Sequence, residues 1–405
     1  MRRPELFKPN VTVLAALCAA GFSLPAAAQS AEDDVAALKR QVDAMSGRLA
    51  ELEAAKASAA SAPEKKADDA GKAIKLYGQL RLSVDDYSED FGSGESGTTV
   101  KSNASRFGIH GEIPTSLSGT SMIYRAEVLY GAADNVSAEI AWREGFAGLK
   151  GGWGQARLGR IDVPYKTTLT AIDPWNDNAP QSRGFGGRQG SSALHSSYFT
   201  NTAQYITPGF FGVKLGGWWS GQLDGETSSV HDAGPINNYQ GGEAHGVGLK
   251  FNQGAWYAGV DWIEIDADRI GSVSGGTFTA NPRMQNDSGW QAAARYKGAA
   301  WSVAAFYEDV EDLGLGTNAY VNTTYKIGAT TLIATYGQNR DATQYFNRAI
   351  DTWSVGAKYA LTKDSELFAA WVDRSEDAFV NGGGTPVAAK DFQILSVGLN
   401  VKFGY

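Results

Sequence analysis

The stretch Leu395-Ser396-Val397-Gly398-Leu399-Asn400-Val401-Lys402-Phe403-Gly404-Tyr405 decides the fold. Apolar residues fall at every odd position, small or polar ones between them. A strand written with period two presents one face to an apolar medium and the other to a polar one. The pattern recurs at the other end of the chain, where Ile74, Leu76, Leu80, Leu82 and Val84 alternate with Lys75, Tyr77, Gln79, Arg81 and Ser83. Trp301, Val303, Ala305 and Tyr307 form another such face, as do Trp353, Val355, Ala357 and Tyr359.

A soluble sandwich would show the same alternation, with its apolar face as core. Three details favour a membrane barrel. The alternating stretches run to about ten residues, enough for a tilted strand to cross a bilayer. Trp or Tyr recurs near their ends, at Tyr130, Trp142, Trp218, Trp256, Trp290, Trp371 and Tyr405. The links between stretches also differ in kind. Short ones lie near residues 114–119, 151–152, 207–209, 252–254, 297–299, 326–328 and 361–365. Longer polar ones lie near 86–101, 161–195, 222–242, 266–287, 339–350 and 375–390. Short turns on one rim and long loops on the other is the layout of an outer-membrane barrel. Sixteen strands are expected, an even number that leaves both termini on the short-turn, periplasmic side.

Composition agrees. The 405 residues include 49 Gly, 11 Trp and 17 Tyr. Glycine eases strand bending and tight turns, while Trp and Tyr belong at lipid–water interfaces. The formal charge of -8 argues against nucleic acid as a partner.

The first 28 residues read as a signal peptide. Arg2, Arg3 and Lys8 form a basic start, an apolar segment runs from about Val11 to Leu24, and Ala26, Ala27 and Ala28 supply a small-residue cleavage site. Cleavage there would take the net charge from -8 to -10. It would also remove Cys18, the one cysteine, and with it any disulfide, metal thiolate or cysteine nucleophile. Leu17 is too bulky for the residue preceding a lipidated cysteine. No later apolar stretch is long enough for a membrane helix.

Residues 29–56 change period. Val35, Leu38, Val42, Met45, Leu49 and Leu52 recur at alternating spacings of three and four, with charged residues between them. This narrow stripe predicts a coiled coil rather than a helix packed on a domain. A linker rich in Ala, Ser, Lys and Asp (57–72) separates it from the barrel, residues 73–405. So short a helix is marginal alone and needs a second oligomeric contact.

The longest link, 161–195, contains Tyr165, Leu169, Ile172 and Trp175, enough apolar surface to pack against something. A link of this length is usually functional or disordered.

Four stretches carry a family resemblance: Leu76-Tyr77-Gly78, Ser105-Arg106-Phe107-Gly108-Ile109-His110-Gly111-Glu112, Phe146-Ala147-Gly148-Leu149-Lys150-Gly151-Gly152-Trp153-Gly154, and Leu158-Gly159-Arg160. In order and spacing, residues 73–405 resemble the general bacterial porins of Gram-negative outer membranes. The resemblance implies an all-β transmembrane barrel of sixteen antiparallel strands, a homotrimer whose third external loop folds inward and narrows the pore. It implies an arginine ladder on the wall facing acidic residues on that loop. Arg106 and Arg143 fall on ladder positions, and Arg81 shares the polar face of the first strand. Arg188 and its neighbour Arg183 lie closest to a further family arginine. Asp173 and Asp177 are the acidic candidates, although Asp-Pro-Trp-Asn-Asp replaces the acidic motif of the enterobacterial members. Tyr405 resembles the terminal signal read by the barrel-assembly machinery.

The function so implied is passive diffusion of small hydrophilic solutes and ions through a water-filled channel in outer-membrane lipid. Opposed charged rows in a low-dielectric wall would set a transverse field across it. Two alternatives stand beside it. One is a substrate-specific channel for anions or oligosaccharides, with Phe306 and Trp219 as candidate lumenal aromatics. The other is a structural barrel tethered to the cell wall through the coiled coil. No catalytic residue, metal ligand or cofactor is assigned. His110, His195, His231 and His245 lack a metal-binding spacing, and His110 reads as a lumenal side chain beside Arg106.

Overall fold

The computed structural model describes Asp43, Gly47, Arg48 and Glu51 near the N-terminus, and residues 74–405 apart from 89–96, 134–139, 184–188, 197, 225–238, 275–276, 382 and 405. Two compact units divide at Asp69/Ala70. In the first, the four described residues are helical and exposed. The expected signal peptide, the six apolar positions of the coiled coil, Arg188, His231 and Tyr405 lie outside the described residues.

The second unit is a closed antiparallel barrel of sixteen strands. They are β1 (Lys75–Tyr87), β2 (Gly97–Ser102 continuing as Arg106–Pro114), β3 (Thr120–Tyr130), β4 (Ile140–Gly151), β5 (Gly154–Ile161), β6 (Phe199–Ile206), β7 (Val213–Asp224) and β8 (Tyr239–Gln253). The second half comprises β9 (Trp256–Asp266), β10 (Asp287–Lys297), β11 (Trp301–Val310), β12 (Gly316–Ile327), β13 (Thr330–Arg340), β14 (Ile350–Ala360), β15 (Ser365–Glu376) and β16 (Lys390–Phe403). β1 pairs with β2 on one side and with β16 on the other, from Gly78↔Phe403 to Tyr87↔Ile394, so no sheet edge is left open. The rim of longer loops has one short member, residues 311–315.

The pattern is inside-out relative to a soluble fold. On β1 the polar Gln79, Arg81, Ser83 and Asp85 are buried, while Leu76 and Val84 are exposed. Leaving so much contiguous apolar surface in water would be unfavourable; in a bilayer it is the stable arrangement. Aromatics form two belts. Trp153, Tyr205, Trp256, Trp301, Tyr325 and Tyr359 lie exposed near the short-turn rim. Trp142, Trp219, Trp290, Tyr307, Tyr336 and Trp353 lie exposed toward the other. Amphipathic rings at both levels are the anchors of a membrane span. Trp219 thus faces outward, giving its Nε1 hydrogen to Glu243 at 2.8 Å. That corrects the lumenal reading of Trp219; it is the adjacent Trp218 that turns inward, against Phe199. Phe306 does face inward and is buried.

The barrel interior holds the buried apolar clusters, and the loop between β5 and β6 contributes members to each of the first three. Tyr165 and Leu194 pack with Ile263 and Val310, Leu169 and Ile172 with Tyr257 and Phe306, and Trp175 with Ile333 and Phe368.

Candidate pore constriction

The inward loop leaves β5 at Ile161 and starts a short helix, α1 (Pro164–Thr170). Pro164 suits its first turn, where a backbone N–H would lack a helical partner anyway. α1 lies against the inner face of β8, β9 and β10. A glycine makes the approach possible: a Cβ on Gly259 would sit 2.7 Å from Thr168 Cγ2. Farther on, Gly337 meets the backbone of Gln189, where a Cβ would come 2.1 Å from the carbonyl oxygen.

Buried polar groups then fix the loop. Glu308 on β11 is fully buried and accepts from Tyr165 Oη at 2.7 Å, the Ser192 backbone N–H at 2.7 Å, Ser192 Oγ at 2.8 Å and Asn318 Nδ2 at 2.9 Å. His195 Nε2 lies 3.0 Å from the same carboxylate. A buried carboxylate surrounded by donors is stable, and each of those donors depends on it in turn. Asn322 Nδ2 donates to the Ile172 carbonyl at 3.1 Å, and Lys250 Nζ to that of Pro164 at 3.1 Å.

Asp173 belongs to this bracing. Its oxygens accept from the Trp175 N–H at 2.9 Å, the Ser182 N–H at 2.8 Å, Ser182 Oγ at 2.8 Å and Tyr320 Oη at 3.1 Å. It makes no ion pair with the arginine wall among the described residues; its lone pairs shape the loop.

Asp177 does meet that wall. It sits at the loop tip with φ 64°, a left-handed conformation that Asp tolerates better than most residues. Arg106 Nη1 donates to its Oδ2 at 2.8 Å, and Arg81 Nη1 lies 3.6 Å from the same oxygen. Arg183 Nη2 pairs with the other oxygen, while its Nε donates to Gln181 at 2.9 Å. Burial alone would raise the Asp177 pKa, but Arg106, Arg183 and Arg81 outweigh it and hold the carboxyl well below the usual range. The expected open gap between opposed charges is closed here by direct contact.

Beside this contact, Glu127 on β3 accepts from Tyr77 Oη at 2.9 Å and Arg143 Nε at 2.9 Å, with Arg106 Nε 3.6 Å away. A bulge between β3 and β4 sets this up. Glu127 pairs with Glu144 and Val128 with Trp142, so Arg143 is the extra residue and both Arg143 and Glu144 turn inward. The guanidinium groups of Arg143 and Arg160 stand 5.2 and 5.6 Å from the Tyr198 ring, and Lys166 Nζ 3.4 Å. Lys166 also pairs with Asp162 at 2.9 Å. Burial depresses the Lys166 ammonium to about 8, with Asp162 opposing the shift. The connected network joins six cations (Arg81, Arg106, Arg143, Arg160, Arg183 and Lys166) to three carboxylates (Glu127, Asp162 and Asp177), leaving it positive.

Sequence reasoning placed Arg81, Arg106, Arg143 and Asp177 together, as they are found. It missed Glu127, Lys166 and Glu308. Strand parity carried a signal for two of them: Glu127 shares a face with Arg125, and Glu308 lies opposite to outward Tyr307.

A closed sixteen-strand barrel with a polar interior, apolar exterior and charged inward loop defines an outer-membrane β-barrel of the porin class. The chain belongs to the Gram-negative porin family, whose profile matches residues 13–377. It is similar to the major outer membrane protein P.IB of Neisseria gonorrhoeae, 25% identical over 197 residues, covering 46% of this chain and 50% of that protein. The chain thus spans about half the length of the curated relatives it matches. Its fold is similar to an anion-selective porin from Comamonas acidovorans (18% identity, TM-score 0.58, 82% of this chain and 99% of that one). It is also similar to OmpT of Vibrio cholerae in a trimer form (16% identity, TM-score 0.54, 82% and 99%).

Proposed function

We propose that this chain forms a water-filled channel through the outer membrane for passive diffusion of small hydrophilic solutes and ions, with a preference for anions. One observation carries the reading. Inside a lipid-facing barrel, a loop braced on Glu308 brings Asp177 against Arg81 and Arg106 and leaves a ring with twice as many cations as carboxylates. In a narrow lumen with low-dielectric walls that surplus attracts anions and repels cations. Arginine suits the task because it stays charged at any relevant pH. Arg81, Arg106 and Arg143 are the basic side of the constriction and Asp177 its acidic contact.

Liposome swelling tests the diffusion reading. Uptake of neutral sugars should fall smoothly with size and show no saturation. A saturable uptake of one sugar would favour an oligosaccharide-specific channel instead.

The N-terminal segment fits a periplasmic coiled coil on a trimeric barrel, a clamp or a spacer toward the cell wall. In support, the helical, exposed Asp43, Gly47, Arg48 and Glu51 all lie off the apolar stripe. Three such helices rising near one axis would meet at high effective concentration.

A further inference from the structure

Below the constriction, toward the short-turn rim, the inner ends of β1–β5 enclose a niche of about 660 Å³. That volume lies within the usual range of small-molecule pockets. Its lining divides by chemistry. Lys75, Arg125 and Lys150 supply positive charge, and Ile123 and Phe146 supply an apolar floor patch to the same lining. Ile123 is buried although it sits on the lumenal face of β3, and the Arg157 guanidinium covers the Phe146 ring at 4.8 Å. An apolar floor is not what a wall meant only for water and bare ions would carry.

The charges are unbalanced in the same sense as above. Glu112 pairs with Lys150 at 3.0 Å and Glu144 with Arg125 at 2.6 Å. Lys75, Arg125 and Lys150 of the lining thus stand against one lining carboxylate, Glu112, with Glu144 paired to Arg125. Arg125 keeps 38% of its side chain exposed and Lys150 50%, so both can reach a solute from the lumen.

We infer that this niche is a binding site for a small organic carboxylate with a compact apolar body, an aromatic acid above all. The carboxylate would take charge-assisted hydrogen bonds from the cationic side, and the ring would cover Ile123 and the edge of Phe146. An inorganic anion gains only the first of these, and a neutral sugar neither. The inference rests on the channel reading and adds to it a discrete, saturable site on the periplasmic side of the constriction.

The test uses the full-length protein in planar bilayers bathed in KCl, with sodium benzoate, acetate or sulfate added at matched ionic strength. Benzoate should reduce the chloride current saturably, at a half-effect concentration at least about tenfold below those of acetate and sulfate. Two variants should each raise that concentration about tenfold. Lys75→Gln with Lys150→Gln removes two of the three lining cations, and Ser121→Phe fills the niche at constant charge. Chloride current through either variant shows that the barrel has folded. Equal, unsaturated reduction by all three anions, or variants that block like the parent, would overturn the niche and leave the channel standing. Absence of any channel in the parent protein would overturn both.

Discussion

Arg106 Nη1 and Asp177 Oδ2 lie 2.8 Å apart, joining β2 of the barrel wall to the tip of a loop 71 residues away in sequence. The Asp177 side chain is 4% exposed and that of Arg106 14%, so water screens the pair poorly. The contact both locates the loop tip and cancels part of the wall's charge.

Replacing Asp177 with Asn should therefore act twice. Loss of the carboxylate raises the positive surplus of the ring, and loss of a charge-assisted contact worth on the order of 2 kcal/mol loosens the tip. The anion preference of Asp177→Asn channels should rise and their open-channel current noise should increase. Unchanged reversal potential together with unchanged noise would show that Asp177 does not border the conducting path.

Glu308 predicts a different phenotype. Glu308→Ala would strip the shared acceptor from Tyr165, Ser192, His195 and Asn318 while leaving the strand pairing of β11 intact. Each orphaned buried donor costs about 1–3 kcal/mol, enough together to release the loop. The barrel should still resist heat in detergent gels, yet protease should cut between residues 162 and 198 much faster. Equal cutting rates in parent and variant would contradict the anchoring.

Much of this arrangement was legible in the chain. Sixteen strands followed from period-two alternation because lipid on one side and water on the other impose the rule strand by strand. Arg81 followed from parity for the same reason, whereas Arg106 came from the family resemblance. Trp219 was misread because Gly216-Gly217-Trp218-Trp219 shows no alternation at all. The roles of Asp173 and Asp177 could not be told apart, since the loop's path is set by partners such as Glu308, 116 residues from Ser192. That adjacent Arg143 and Glu144 both face inward comes from a register shift that a strict period of two conceals.

Lys166 gives the ring a pH dependence. With its pKa depressed to about 8 by burial, it is mainly charged at pH 7 and mainly neutral at pH 9. Raising the pH across that interval removes one positive charge, so anion preference should fall. A charge about 8 Å from a permeating ion in water contributes about 0.5 kcal/mol, or about twofold in permeability ratio. Lys166→Met should show a smaller step than the parent over that interval. A step of equal size in that variant would assign the titration elsewhere.

Gly259 tests the close approach of α1. A Gly259→Val side chain would collide with Thr168 and push the helix into the lumen. Single-channel conductance should drop while the reversal potential changes little, because no charge is altered. Conductance equal to the parent's would mean that α1 does not bound the pore.

The most direct test of the central claim is the zero-current potential of the full-length protein in a tenfold KCl gradient at pH 7, measured beside Arg106→Gln/Arg143→Gln. The parent should prefer chloride, and removing two charges should lower its chloride-to-potassium permeability ratio about fivefold. A parent channel that prefers potassium, or two channels with the same reversal potential, would contradict the arginine wall as the selectivity element.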